Sequence, residues 1–333
     1  MTMRATRSTS QMRNNQALPG LIVTSAPSMI IVLRHKQSSL VPAYLDEAQF
    51  ESKVSRLSKA DQQTLRRKQV KLRQTDAQIP GFITSSKTSS PTLAEAASAT
   101  LLFIWEGSST AFCISPSGVL LTCAHCLAET PAEFARTKNQ TRWLLFASGD
   151  PVQARPIAFD VTRDLALLQI TAAPSSFNTK PFPYIRLSPS PPKVRAPLLC
   201  IGSPGAEDLE TSGPSDSVVE TGYDALHISD GKFRGLDRSQ DLQDNSDIGA
   251  LKHDCWTYWG HSGAPLIDAK SGGLVGVHSS WDDETGMRRG VAWEAVKAFL
   301  EEECELTTRE AAVIAAEQKA ERAGDTLDDP IIL

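Results

Sequence analysis

Gly118-Val-Leu-Leu-Thr-Cys-Ala-His-Cys126 is a run of aliphatic residues that opens on a glycine and ends on a histidine between two cysteines. It reads as a short buried strand that delivers His125 onto a turn. Two other segments also stand out for a reactive side chain. Arg163-Asp-Leu-Ala-Leu-Leu-Gln-Ile170 places Asp164 at the start of a buried strand, and Trp259-Gly-His-Ser-Gly-Ala-Pro-Leu266 places Ser262 between glycines. The order along the chain is His, Asp, Ser, with 39 residues from His125 to Asp164 and 98 from Asp164 to Ser262.

The surroundings have the same texture. Thr100–Trp105, Ala111–Ile114, Val119–Thr122, Trp143–Ala147, Leu165–Ile170, Leu198–Ile201, Val218–Thr221, Ala225–Ile228, Leu274–Ser280 and Gly290–Trp293 are short β-type runs with Gly and Pro between them. Such spacing predicts sandwiches or barrels, and the length from 98 to 300 suits two small barrels. A helix over Glu294–Glu303 closes this region, and Thr307–Ala323, rich in Ala and Glu, reads as another. The polar segment Glu207–Gly249 reads as an insertion or a lid.

Serine can carry out acyl transfer only with help. An imidazole must take the hydroxyl proton, a carboxylate must fix that imidazole's tautomer, and backbone N–H groups must meet the oxyanion. Gly260 and Ser262 can supply those donors, because glycine tolerates the backbone of such a turn. The His, Asp, Ser order excludes the Gly-X-Ser-X-Gly elbow of α/β-hydrolases, whose order is Ser, acid, His.

Residues 98–300 resemble trypsin-like serine peptidases of the chymotrypsin-like double barrel, above all the disulfide-free HtrA/Deg-like and glutamyl-endopeptidase-like branches. Thr122-Cys-Ala-His125 matches their Thr-(Ala/Asn)-Ala-His, Asp164-Leu-Ala-Leu-Leu168 their Asp-(Ile/Leu)-Ala-Leu-Leu, and Gly260-His-Ser-Gly-Ala-Pro265 their Gly-(Asp/Asn)-Ser-Gly-Gly-Pro. Leu198–Gly205 and Gly273–Ser279 look like the strand before, and the cleft-walling strand after, the serine. The resemblance implies a mainly β fold of two six-stranded antiparallel barrels, over about 98–175 and 184–300. It implies a serine endopeptidase with His125 as general base, Asp164 as orienter, Ser262 as nucleophile and Gly260 and Ser262 as oxyanion donors. No cofactor or metal is expected, and the partner is a protein or peptide substrate. In the glutamyl-endopeptidase-like relatives a Thr and a His hold an acidic side chain; Thr257 and His278 fall at those places, with Ser279 alongside. The same strand in viral relatives accepts neutral polar side chains, and a satisfied core histidine is a third reading of His278. His261 departs from the family's Asp or Asn, either pairing with an acid or standing as a tolerated side chain. That departure sustains a second reading, a catalytically impaired pseudo-peptidase that binds or scaffolds peptides.

Composition sets the remaining bounds. With 41% hydrophobic and 22% charged residues in 333 positions the chain is globular, and no apolar run approaches the roughly 18 residues of a membrane-spanning helix. Residues 1–97 form a basic extension of charge +8, with a helix over about 50–75 and a linker over about 79–97; residues 301–333 form an acidic tail of charge −7. The basic stretch 52–73 reads as a nucleic-acid or nuclear-import contact, or as a solvated helix face. The six cysteines lack the spacing of a secreted disulfide scaffold, and Cys123-X-X-Cys126 lacks a second zinc pair. The expected setting is intracellular, cytoplasmic or nuclear, with mitochondrial import the alternative drawn from an Arg-bearing, acid-free first 45 residues.

Overall fold

The computed structural model describes residues 30–32, 41–76, 91–105, 109–206, 219–222 and 225–303. The rest of the leader, the linker over 77–90, Cys304, the helix expected over Thr307–Ala323 and residues 207–218 lie outside the described residues.

Two short strands, β1 (Ile30–Val32) and β2 (Ala43–Leu45), and three helices, α1 (Glu47–Val54), α2 (Lys59–Asp76) and α3 (Pro91–Ser98), precede the barrels. The helix expected over 50–75 is thus divided. Asp46 caps α1 through a capping box with Gln49, and Ser58 Oγ accepts the Asp61 N–H at the start of α2 (3.1 Å). The linker expected to reach residue 97 gives way to α3, because Ala94, Ala96 and Ala97 are strong helix formers and Ala96 and Ala97 bury their methyl groups.

α2 is docked rather than solvated. Leu65 and Leu72 are fully buried, each contributing about 1.5–3 kcal/mol of burial. Lys68 Nζ donates to Phe103 O (2.9 Å) and Trp105 O (3.3 Å), and Gln69 Nε2 donates to Gly149 O (3.0 Å). Arg66 pairs with Glu51. Two cations of the basic stretch are therefore engaged within the molecule.

The first barrel comprises β3 (Thr100–Phe103), β4 (Thr110–Cys113), β5 (Val119–Thr122), β6 (Arg142–Phe146), β7 (Pro151–Asp160) and β8 (Leu165–Pro174). Its order is β7-β6-β3-β4-β5-β8, and the β7–β8 pairing closes it; β1 adds to β7, and β2 runs parallel to β8. Its core is aromatic, with Phe146, Phe177 and Phe182 in mutual contact at centroid distances of 5.0–6.0 Å. The second barrel comprises β9 (Pro197–Gly202), β10 (His227–Leu236), β11 (Leu251–His253), β12 (Pro265–Asp268), β13 (Leu274–Trp281) and β14 (Arg288–Ala292), closed in the order β10-β11-β14-β13-β12-β9. It has a smaller aliphatic core, which includes Leu198, Leu251, Leu266 and Val275. The two six-stranded antiparallel barrels are those expected from the sequence. A short helix, α4 (Pro131–Thr137), lies between β5 and β6, and another, α5, occupies 293–303.

Much of the segment read as an insertion is barrel wall. β10 pairs along its length with β9 and then β11. Asp230-Gly231-Lys232 resembles a turn in sequence, but a Cβ on Gly231 would stand 2.4 Å from the Cys255 backbone nitrogen. Glycine is there to admit a neighbouring chain, not to bend the strand.

Candidate active site

β5 ends at Thr122, and a 3-10 turn over Ala124–Cys126 carries His125 at the edge of the first barrel. β8 begins one residue after Asp164, whose φ of 55° lies in the left-handed region. That backbone costs a non-glycine residue roughly 1–2 kcal/mol, and its neighbours hold it there. Asp160 Oδ1 accepts the Thr162 and Arg163 N–H groups (2.9 and 3.0 Å). The Arg163 guanidinium binds Asp160, Gln243 and, through two bonds of 3.0 and 2.7 Å, Glu302 of α5. Asn245 N donates to Thr162 O (2.8 Å).

So held, Asp164 clamps His125 twice. Its Oδ1 accepts the His125 backbone N–H (3.1 Å), and both carboxylate oxygens lie 2.9 Å from Nδ1. A carboxylate facing Nδ1 fixes the proton there and leaves Nε2 to accept. Burial pulls the imidazole down, but Asp164 and Cys126 outweigh it and carry His125 up to about 10 from an ordinary 6.5.

Ser262 sits on a turn flanked by two left-handed glycines, Gly260 (φ 99°) and Gly263 (φ 84°). A Cβ on Gly263 would meet Thr110 O at 2.1 Å and Thr122 Oγ1 at 2.3 Å, so only glycine lets this turn press against the first barrel. Thr110 binds it at two points: Thr110 N donates to Ser262 O (2.9 Å), and Thr110 Oγ1 donates to Gly260 O (2.9 Å). Cys126 Sγ donates to Ser262 O (3.4 Å). Among the described residues, the N–H groups of Gly260 and Ser262 donate to no protein acceptor. The Ser262 hydroxyl donates to Ser279 O (3.1 Å), a bond it must give up before donating to an imidazole. The histidine turn and the serine turn thus meet at the seam between the barrels.

His261, where the family has Asp or Asn, is fully buried. Its Nε2 meets His227 Nδ1 (3.1 Å), and its Nδ1 lies at the backbone of Tyr258. Its partner is a second histidine rather than an acid, and a Cβ on Gly202 would strike its ring at 2.5 Å. Burial first, and the neighbouring His227 next, push it down to about 3, so it is a neutral strut.

Of the expected pocket residues, Thr257, His278 and Ser279 are all buried. Ser279 O accepts the Ser262 hydroxyl, and His278 O accepts Gly263 N (2.9 Å). His278 Nδ1 meets His253 Nε2 (3.1 Å). Burial, His253 and His261 hold His278 well below the ordinary value, so by itself it brings no positive charge to meet an acidic side chain. The positive charge in this region belongs to Arg288, which sequence reasoning missed. It donates to Thr257 O (3.2 Å) and lies over Trp256 and Trp281, 4.5 and 5.5 Å from the ring centroids. No motif marks Arg288; the only signal was its place on the strand after the cleft wall.

Among the described residues, one cluster has the spacing of metal donors: Cys123, His125 and Asp164, within 4.8 Å of one another. The imidazole and carboxylate in it satisfy each other.

Two closed six-stranded barrels, with a His–Asp pair on one and a Gly-X-Ser-Gly turn against it from the other, define the class as a double-barrel peptidase fold. The trypsin-like peptidase domain model matches residues 109–277, and the chain belongs to that family. Among solved structures, it is similar to the serine endoprotease from Yersinia pestis, at 17% identity and a TM-score of 0.43, covering 63% of this chain and 64% of that one. It is also similar to the Rv3671c protease of M. tuberculosis. The inactive form aligns at 19% identity and a TM-score of 0.46 over 64% of this chain and 92% of that one. The active form aligns at 18% and 0.45 over 62% and 82%. The chain thus spans just under two thirds of the Yersinia structure. A comparison with curated protein sequences finds no significant match.

Proposed function

We propose that the protein is a serine endopeptidase that works through an acyl-enzyme. His125 Nε2 takes the Ser262 proton as Oγ attacks the scissile carbonyl, and Asp164 stabilises the imidazolium that forms. The N–H groups of Gly260 and Ser262 receive the oxyanion. The imidazolium then protonates the leaving amine, and a water attacks the acyl-enzyme by the same route. The observation that carries this reading is the double clamp of Asp164 on His125 N and Nδ1.

The finer proposal is a preference for Glu or Asp before the scissile bond. Its support is the buried Arg288 cation behind Thr257, beside a neutral His278 that would gain a proton on meeting a carboxylate. Five cysteines that stand as free thiols support an intracellular setting. The pseudo-peptidase reading rests on the Ser262 hydroxyl donating to Ser279 O.

A peptide library digested by the intact protein tests these together. The expected result is cleavage enriched in Glu and Asp at the residue before the cut, absent from Ser262→Ala. Cleavage without that enrichment removes the acidic preference. No cleavage beyond the Ser262→Ala background favours the binding module.

A further inference from the structure

We infer that Cys123 and Cys126 form a redox-responsive dithiol that closes to a disulfide across His125 under a hydroperoxide and slows the peptidase. The inference rests on the peptidase reading above, since it assigns a control to the same site.

The geometry suits closure. Cys123 is extended (φ −73°, ψ 146°) just before the 3-10 turn, and Cys126 ends that turn. Cys126 N donates to Cys123 O at 3.2 Å, a one-four closure that holds the two Cα atoms within about 7 Å, close to the roughly 4.4–6.8 Å a disulfide spans. The two thiols flank one 3-10 turn. They differ as an attacking and a resolving thiol should. Cys126 is half-buried, and although burial raises it, Cys123 and the His125 charge bring it down to about 7. Cys123 is fully buried and stays protonated, raised first by burial and then by Cys126 and Asp164. The other described cysteines are buried, with thiols pushed up chiefly by burial, and stand as slow-reacting controls.

The chemistry balances. The Cys126 thiolate attacks one peroxide oxygen, the O–O bond breaks, and hydroxide leaves as water after taking a proton, giving a sulfenic acid. Cys123 sulfur then attacks Cys126 sulfur, the S–O bond breaks, and hydroxide departs as water with the Cys123 proton. Two thiols lose two electrons, and the hydroperoxide is reduced. A dithiol reductant reverses the change.

The cost to activity follows from the donors consumed. With both thiols protonated, Cys126 Sγ donates to Ser262 O and Cys123 Sγ to His278 O, each at 3.4 Å. They tie the His125 turn to the nucleophile turn and to the cleft strand. A disulfide has no S–H, so both ties are lost as the sulfurs draw together. A displacement of about 1 Å at such a site costs on the order of a hundredfold in rate.

The test treats the full chain with hydrogen peroxide, blocks free thiols, and reads two things: the Cys123–Cys126 peptide by mass spectrometry and the rate of Ser262 labelling by a fluorophosphonate. The expected result is a loss of two hydrogens within that peptide and a labelling rate lower by about tenfold to a hundredfold, restored by dithiothreitol. In Cys123→Ser and Cys126→Ser the ratio of treated to untreated rates should stay near one. No bridge, a bridge to Cys304 instead, a bridge with unchanged labelling, or a full peroxide response in both variants overturns the inference. Absence of labelling in the fully reduced chain defeats the peptidase reading and the control with it, while the mass spectrum still reports the bridge by itself.

Discussion

The two barrels treat histidine in opposite ways. On the first, His125 faces the Asp164 carboxylate and is raised to about 10. On the second, His227, His253 and His261 are lowered to about 4, 3 and 3, and His278 falls well below its ordinary value. Burial is the first-ranked influence on all five and pushes every one down. Asp164, helped by Cys126, reverses the outcome in one barrel; in the other, neighbouring imidazoles lower His261 and His278 further, and Arg288 lowers His253. Sharing a fold does not fix a residue's charge; the partner does. The first barrel holds the histidine proposed as general base, and the second holds neutral rings that shape the turn and wall around Ser262.

Removing the partner breaks the contrast most sharply. Asp164→Asn should lower kcat by about 10⁴, the magnitude known for this change in the serine-triad template. It should also bring the His125 titration down toward 6.5, read by imidazole NMR. A loss under tenfold would mean that Asp164 does not orient the base.

The second barrel's half of the comparison is a statement about stability. Its four histidines have folded pKa values below the unfolded one, so between pH 6.5 and about 4 the unfolded chain binds more protons. The stability these four contribute is therefore complete above pH 6.5 and falls as the pH drops through that window. At about 1.4 kcal/mol per pKa unit for each histidine, the total loss is several kcal/mol. Denaturant melts across pH 7 to 4 measure it, and a flat midpoint would contradict the assignment of neutral buried rings. The smallest expected effect sharpens the first barrel's half. Cys126→Ser removes a thiolate that helps hold the His125 proton, so the rising limb of kcat/KM against pH should move to lower pH by about one unit. A limb that stays put, or rises, would remove Cys126 from the electrostatics of the base.

What the sequence made legible follows the same division. His125, Asp164 and Ser262 were readable because each sits in a local pattern that needs no knowledge of its neighbour: His125 closes an apolar run, Asp164 opens one, and Ser262 lies between glycines. The paired histidines were not, because His227 and His261 come from separate elements, as do His253 and His278, and nothing in either strand announces the other. β7 escaped notice because Pro151, Arg155 and Pro156 interrupt its pattern; the structure accommodates them with register shifts against β8, one of them at Pro156–Ala158. β10 was read only at its start, within Ala225–Ile228, because Asp230-Gly231-Lys232 looks like a turn until Cys255 is seen crossing it. The Arg163 bridge to Glu302, which braces the strained Asp164, joins residues 139 positions apart and leaves no local trace.

Modification of Ser262 by a fluorophosphonate, located by peptide mass, tests the joined seam most directly. The account predicts stoichiometric labelling at Ser262 in the folded, reduced protein, lost in His125→Ala and on unfolding. A folded protein whose Ser262 stays unmodified, or is modified equally without His125, would contradict it.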